Sequence, residues 1–365
     1  GQEGLGARGR AAARRLFARA LEAPGGLKIQ TIHAFCENLL RRFPLEAGAL
    51  PGFETLDDAE ARELSARSQA RAASALSTDD IDTMLATGGA EAFTELADWV
   101  RSNRACVREE AREGADAVIE RTRVALGLKP GDTVASCAQD AWNASPVDQL
   151  RAAAIALDSS TTKDKQQAEK LRRALSAPSA QSAIEAYLGF FLTQKGDLAK
   201  DLTTATIAKT HTWLDGLFGG EKRGYGSEKD RMLAVRDQLR AISLATASAA
   251  ATRFATGYLG TLDEEMRRRR ALDFDDLIRL AGDLLKPENV FSGWVGYKLD
   301  GLLTHALVDE AQDTSPQQWD MLRGLTSEFF AGQGAREDTR TLFVVGDEKQ
   351  SIYSFQGADP AIFVN

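Results

Sequence analysis

Two short apolar runs, each ending abruptly in acid and separated by a well-marked helix start, constrain this chain more than any other feature. Leu302–Leu303 and Ala306–Val308 lead into Asp309–Glu310, and Thr341–Val345 leads into Gly346–Asp347. Between them, Ser315-Pro316-Gln317-Gln318 offers a capping serine, a proline at the first helical position and a glutamine at the third, a strong helix start. The helix is expected to run to about Phe330. Strand, helix and strand at this spacing predict a right-handed βαβ unit in a buried parallel sheet. Parallel strands deliver their terminal acids to one edge, the carboxyl end, where α/β proteins bind ligands.

The rest of the chain has a different texture. A length of 365 residues suggests two or three domains. Residues 1–45 contain a basic helical stretch, a break at Pro24–Gly26, and the run LKIQTIHAFCENLLRRF. Residues 46 to about 270 are rich in Ala, Arg, Glu and Leu with helical periodicity, interrupted by polar breaks around 77–90, 127–133, 158–165 and 219–229. Trp99, Trp142 and Trp213 in this region are expected in its core, and Arg267–Arg270 closes it.

Although the formal net charge is −8, residues 1–42 carry eight Lys or Arg against three Glu. A local basic face of this kind can follow a phosphate backbone even on an acidic protein; a solvated helix face is the structural alternative. Cys36, Cys106 and Cys137 are scattered and unpaired by any CxxC spacing, which reads as reduced thiols of a cytoplasmic protein. No apolar stretch approaches the length of a membrane span.

At the predicted sheet edge, Asp309 can hold a hydrated Mg2+ ion, and Glu310 is left to orient and deprotonate a water against a nucleotide γ-phosphate. Asp347 falls beside this pair, and Gln350 can reach the γ-phosphate of ATP from the neighbouring strand tip. Tyr353 and Phe355 form an aromatic pair suited to stacking on single-stranded bases, with core packing as the alternative for either ring. Two other classes compete: a metal-dependent nuclease built on Asp309, Glu310 and Asp347 with Lys349 nearby, and a non-catalytic scaffold that binds DNA or a partner.

These residues carry a resemblance. DEAQDT at 309–314 and GDEKQSIYSFQGADP at 346–360 resemble motifs II and III of UvrD/RecB-like superfamily 1 DNA helicases. TIHAFC at 31–36 resembles the segment by which that family touches the DNA strand, and LDFDDL at 272–277 the return from its helical insertion to the motor core. Within the family the wording is most like the AddA branch of helicase-nucleases, in its alphaproteobacterial form. The resemblance implies a partial RecA-like α/β motor domain 1A (1–45 and 271–365), interrupted by a mainly helical insertion domain 1B (46–270). It implies Asp309 as a magnesium holder, Glu310 as the catalytic base, and Gln350 as the γ-phosphate sensor. It also places Thr31, His33, Tyr353 and Phe355 on the DNA path, and it implies two partners, DNA and an AddB-like subunit. A hydrogen-bonded structural role is the alternative for His33.

The sequence departs from the pattern in two places. Gln356 stands where UvrD and Rep typically have Arg, and no GxxxxGK[ST] phosphate loop is present. That loop is expected upstream of residue 1, with the second motor domain, and a nuclease domain in AddA, beyond residue 365. The chain alone is therefore expected to lack ATPase activity.

Overall fold

The computed structural model describes residues 29–193, 202–218, 227–300, 305–330 and 340–347, with positions 15, 196, 199 and 303. In chain order, the elements used below begin with α1 (Ile32–Arg42), β1 (Glu54–Thr55) and α2 (Asp58–Ser74). Helices α3 (Val134–Asn143), α4 (Val147–Asp158), α5 (Thr162–Leu175), α6 (Ala180–Phe191) and the long α7 (Glu228–Arg269) follow. The last group is β2 (Ala271–Leu272), α8 (Phe274–Leu285), α9 (Ser292–Asp300), β3 (His305–Val308), α10 (Pro316–Phe330) and β4 (Thr341–Val344). The chain divides into two compact units, one formed by 1–67 with 262–365 and the other by 68–261.

The first unit is α/β. Helix α1 starts where the Thr31 hydroxyl accepts from the Ala34 N–H at 3.1 Å, and it buries Cys36, Leu39 and Leu40 at helical spacing. Helix α8 starts in the same way, the Asp273 carboxylate accepting from the Asp276 N–H at 2.9 Å. Its Leu277, Ile278, Ala281, Leu284 and Leu285 form one buried stripe. The two stripes share a core with Val295 of α9, Met321 and Leu322 of α10, and Val308 and Ala311 at the end of β3. A Cβ at Gly324 would meet Leu285 Cβ at 3.1 Å, so the α8–α10 approach leaves little room for a larger residue.

Strands β3 and β4 pair in parallel, with His305 opposite Thr341 and Val308 opposite Val344, as the sequence predicts. Helix α10 between them starts at Pro316. Its capping box is reciprocal: Ser315 N–H donates to Gln318 Oε1 at 2.9 Å and Gln318 N–H to Ser315 Oγ at 3.3 Å.

The expectation that both strands are buried needs correction. Leu307 is 70% exposed and Phe343 63%. Side chains alternate across a strand. Val308, Leu342 and Val344 therefore meet the core, while the opposite face has no covering element among the described residues. A second parallel pair, β1 with β2, was not legible in the sequence. Two residues are too few to show a period, so Glu54–Thr55 read as part of the helical stretch.

The second unit is mainly helical among its described residues, as its periodicity predicts. Helices α4, α5 and α6 pack in succession, and α3 joins them. Their core gathers Leu150, Leu157, Leu171, Ile184, Tyr187, Phe190 and Phe191, with the Phe190 and Phe218 rings 4.6 Å apart. The break expected around 77–90 is instead a helix, Thr78–Gly88, started by Ser77, whose side chain accepts from the Asp80 N–H. Its first turn is polar, and its one buried residue, Met84, comes in the second turn. Two of the three tryptophans expected in the core are exposed, Trp99 by 53% and Trp213 by 41%. On the helix Ala92–Ser102, Ala97 and Val100 take the inward positions, leaving Trp99 on the outer stripe. Trp142 does pack against the core.

Candidate functional site

The site is built on the ends of β3 and β4. The ladder continues one step past the strands, Val345 N–H donating to Val308 O at 2.8 Å and Ala311 N–H to Val345 O at 2.9 Å. These bonds lock the two tips together and turn the chain sharply after Val308. The turn passes through Glu310 in the left-handed region, φ 54 and ψ 43. For a non-glycine residue this conformation costs roughly 1–2 kcal/mol. Asp309 Oδ1 accepts from the Glu310 N–H at 3.0 Å, which supports the turn.

Asp309, Glu310 and Asp347 all reach solvent. Asp309 uses one carboxylate oxygen within the turn, and its other oxygen has no partner among the described residues. Glu310 Oε2 accepts from Gln312 Nε2 at 2.6 Å, and Gln312 Oε1 accepts in turn from the Asp347 N–H at 2.9 Å. Gln312 itself is 1% exposed. Buried Asp313 Oδ1 and Trp319 Nε1 have no hydrogen-bond partner among the described residues.

In the sequence Gln312 is one letter of the DEAQDT run, and nothing in the spacing shows that its amide lies between the two strand tips. Gln350, Tyr353, Phe355 and Lys349 lie outside the described residues.

No group of three His, Cys, Asp or Glu that could enclose a metal ion occurs among the described residues. Magnesium does not require one, since it keeps most of its waters and takes one or two carboxylates alongside substrate phosphates. A solvent-facing carboxylate with one oxygen committed and one available fits that demand.

Thr31 and His33 sit at the start of α1. The first turn of α1 holds no acid, so its N-terminal dipole is uncompensated within the helix. His33 is half-buried, with its ring 5.0 Å from Phe274 in an edge-on contact. Burial lowers the pKa of its imidazole, and the carboxylates of Asp275 and Asp58 partly oppose that shift.

The model of the UvrD/REP helicase N-terminal domain matches residues 9–365. The chain belongs to that family. The AddA-type ATP-dependent helicase/nuclease of Limosilactobacillus reuteri is 30% identical over 215 residues, covering 56% of this chain and 14% of that protein. The RecB protein of the RecBCD enzyme of Mycolicibacterium smegmatis is 35% identical over 112 residues, 31% of this chain and 9% of its own. RecB of Escherichia coli is 32% identical over 139 residues, 38% of this chain and 11% of its own. The chain thus spans only about a tenth of the length of these relatives. As a family member it has a RecA-like α/β fold, in agreement with the parallel strands of the first unit. No helix of the described residues is long and apolar enough to cross a membrane.

Proposed function

We propose that this chain supplies one wall of the ATP-hydrolysing cleft of a cytoplasmic DNA helicase of the AddA type. In the intact protein, ATP hydrolysis would drive movement along single-stranded DNA during double-strand-break repair, alongside an AddB-like subunit. The observation that carries this reading is the parallel register of β3 and β4, which sets Asp309–Glu310 and Gly346–Asp347 at one sheet edge. The RecA-like motor core would comprise 1–45 and 271–365, with 46–270 inserted as a helical domain. A compact unit assembled from both ends of the chain supports that division.

Asp309 is the residue that would hold magnesium, through a water, with Asp347 beside it. The ion's contribution, when bound, is to neutralise charge on the β- and γ-phosphate oxygens. Glu310 keeps one carboxylate oxygen without a partner among the described residues, and that oxygen would orient the attacking water. As the water oxygen bonds to the γ-phosphorus and the bond to the bridging oxygen breaks, the water's proton passes to Glu310. Gln350 would read the γ-phosphate. Thr31 and His33, at the acid-free start of α1, would meet the DNA backbone, and Tyr353 and Phe355 its bases.

The test is steady-state ATP hydrolysis, with and without single-stranded DNA, by the intact gene product that contains this chain. Glu310→Gln should lower turnover by about a thousandfold or more while nucleotide binding persists. Wild-type turnover in that variant would overturn the reading.

A further inference from the structure

We infer that Gln312 is a positioning residue that ties the Glu310 carboxylate to the tip of β4, so that the two strand ends present the base as one rigid unit. The inference rests on the reading of Glu310 as the base and adds the group that aims it. The chemistry of the partners fixes the direction of the Gln312 amide. A carboxylate can only accept and a backbone N–H can only donate. Nε2 must therefore face Glu310 Oε2, at 2.6 Å, and Oε1 must face the Asp347 N–H, at 2.9 Å. The amide is buried, so water cannot readily take the place of either bond.

The packing leaves little room for any other arrangement. A Cβ on Gly346 would lie 2.8 Å from Gln312 Oε1, 3.0 Å from Ala311 Cβ and 3.2 Å from the Gln312 nitrogen. Glycine at 346 is what lets the β4 tip close onto the amide. Glu310 approaches from the other side, already committed to its left-handed turn. Its backbone geometry and its side-chain bond together restrict the carboxylate to a narrow range of positions. Reaction rates are sensitive to displacements of about 1 Å at such a group, at roughly a hundredfold each.

The experiment is the kinetics of ATP hydrolysis by the intact gene product carrying Gln312→Met, Gln312→Glu or Glu310→Gln, with thermal unfolding followed in parallel. Gln312→Met keeps the length but cannot donate or accept as the amide does, and should lower kcat about 10- to 100-fold with KM for ATP within about threefold. Gln312→Glu sets two carboxylates against each other, and they would share a proton. The acid limb of its kcat–pH profile should therefore move to higher pH, which a purely structural role would not produce.

If Glu310→Gln is inactive but Gln312→Met keeps kcat within about twofold of wild type, the positioning role is overturned and the base stands. If Glu310→Gln remains active, the base reading fails and takes the positioning role with it. Should Gln312→Met fail to unfold cooperatively, Gly346→Ala decides, because it retains the amide and crowds its oxygen. A kcat-selective loss in that variant supports the inference, and wild-type turnover overturns it.

Discussion

The ring of His33 stands edge-on to that of Phe274, centroids 5.0 Å apart and planes at 62°. The contact joins two segments that read as separate motifs in the sequence, TIHAFC and LDFDDL, across the starts of α1 and α8. It has a consequence for stability. Burial lowers the His33 pKa below its ordinary 6.5 even though Asp275 and Asp58 pull the other way. The unfolded chain therefore takes up the proton first as pH falls. The neutral ring's contribution to stability is complete above pH 6.5 and is lost as pH drops through the lower folded value. His33→Gln should flatten the fall in Tm between about pH 7.5 and about pH 5.5 relative to wild type. Parallel Tm curves for the two proteins would show that His33 titrates the same way folded and unfolded.

The 365 residues contain Asp309 and Glu310 but no GxxxxGK[ST] loop to grip the β- and γ-phosphates. The isolated chain should therefore release no phosphate from ATP above the uncatalysed background, with or without single-stranded DNA. A DNA-stimulated activity of the isolated chain that Glu310→Gln removes would mean that the cradle is dispensable. In the intact product, Asp309→Asn should raise the magnesium concentration needed for half-maximal turnover by about tenfold or more.

In the helical unit, Arg231 grips Glu228 with Nε and Nη2, both at 2.8 Å. It also donates to Ala141 O and Ser145 Oγ, each at 2.9 Å. Tyr187 donates to the same Glu228 carboxylate at 2.8 Å, and burial raises the pKa of its phenol, with the Glu228 charge adding to the effect. Removing the cation leaves a nearly buried carboxylate that, among the described residues, has no opposite charge beside it and only the Tyr187 hydroxyl donating to it. Arg231→Met should destabilise the unit by about 2–3 kcal/mol, and Tyr187→Phe by about 1 kcal/mol, in chemical denaturation. A loss under about 0.5 kcal/mol for Arg231→Met would place it with ordinary surface ion pairs.

The three thiols should differ widely in reactivity. Cys36 is fully buried and burial pushes its pKa up to about 12, and burial also raises that of Cys137. Cys106 is exposed. Since the thiolate is the reactive form, iodoacetamide at mildly alkaline pH should label Cys106 first. Peptide mapping checks this order, and early labelling of Cys36 would show that α1 detaches readily from its core.

Much of the site could be read along the chain because its signals are local. The two apolar runs with their abrupt acidic ends, and the Ser315–Gln318 capping box, each span a few residues, and β3, α10 and β4 form where they indicate. Asp309 and Glu310 stand at the tip for the same reason. The helical break expected around 77–90 failed locally, because polar first-turn residues that favour a helix start also look like a loop. Trp99, Trp213 and the β1–β2 pair failed for another reason. Ring burial depends on which stripe of a helix finds a partner, and a two-residue strand exists only through a distant neighbour.

The chain's own order of residues determined its parallel βαβ unit, its helical middle and the acids at the strand ends, since propensity, capping and side-chain period act over one or two turns. Only tertiary structure decided that the Gln312 amide bridges Glu310 to the β4 tip, that Gly346 must lack a side chain, and that one face of the β3–β4 pair has no cover among the described residues. Those outcomes depend on close approaches between segments far apart in the chain, where steric exclusion and hydrogen-bond direction act on positions that no local pattern encodes.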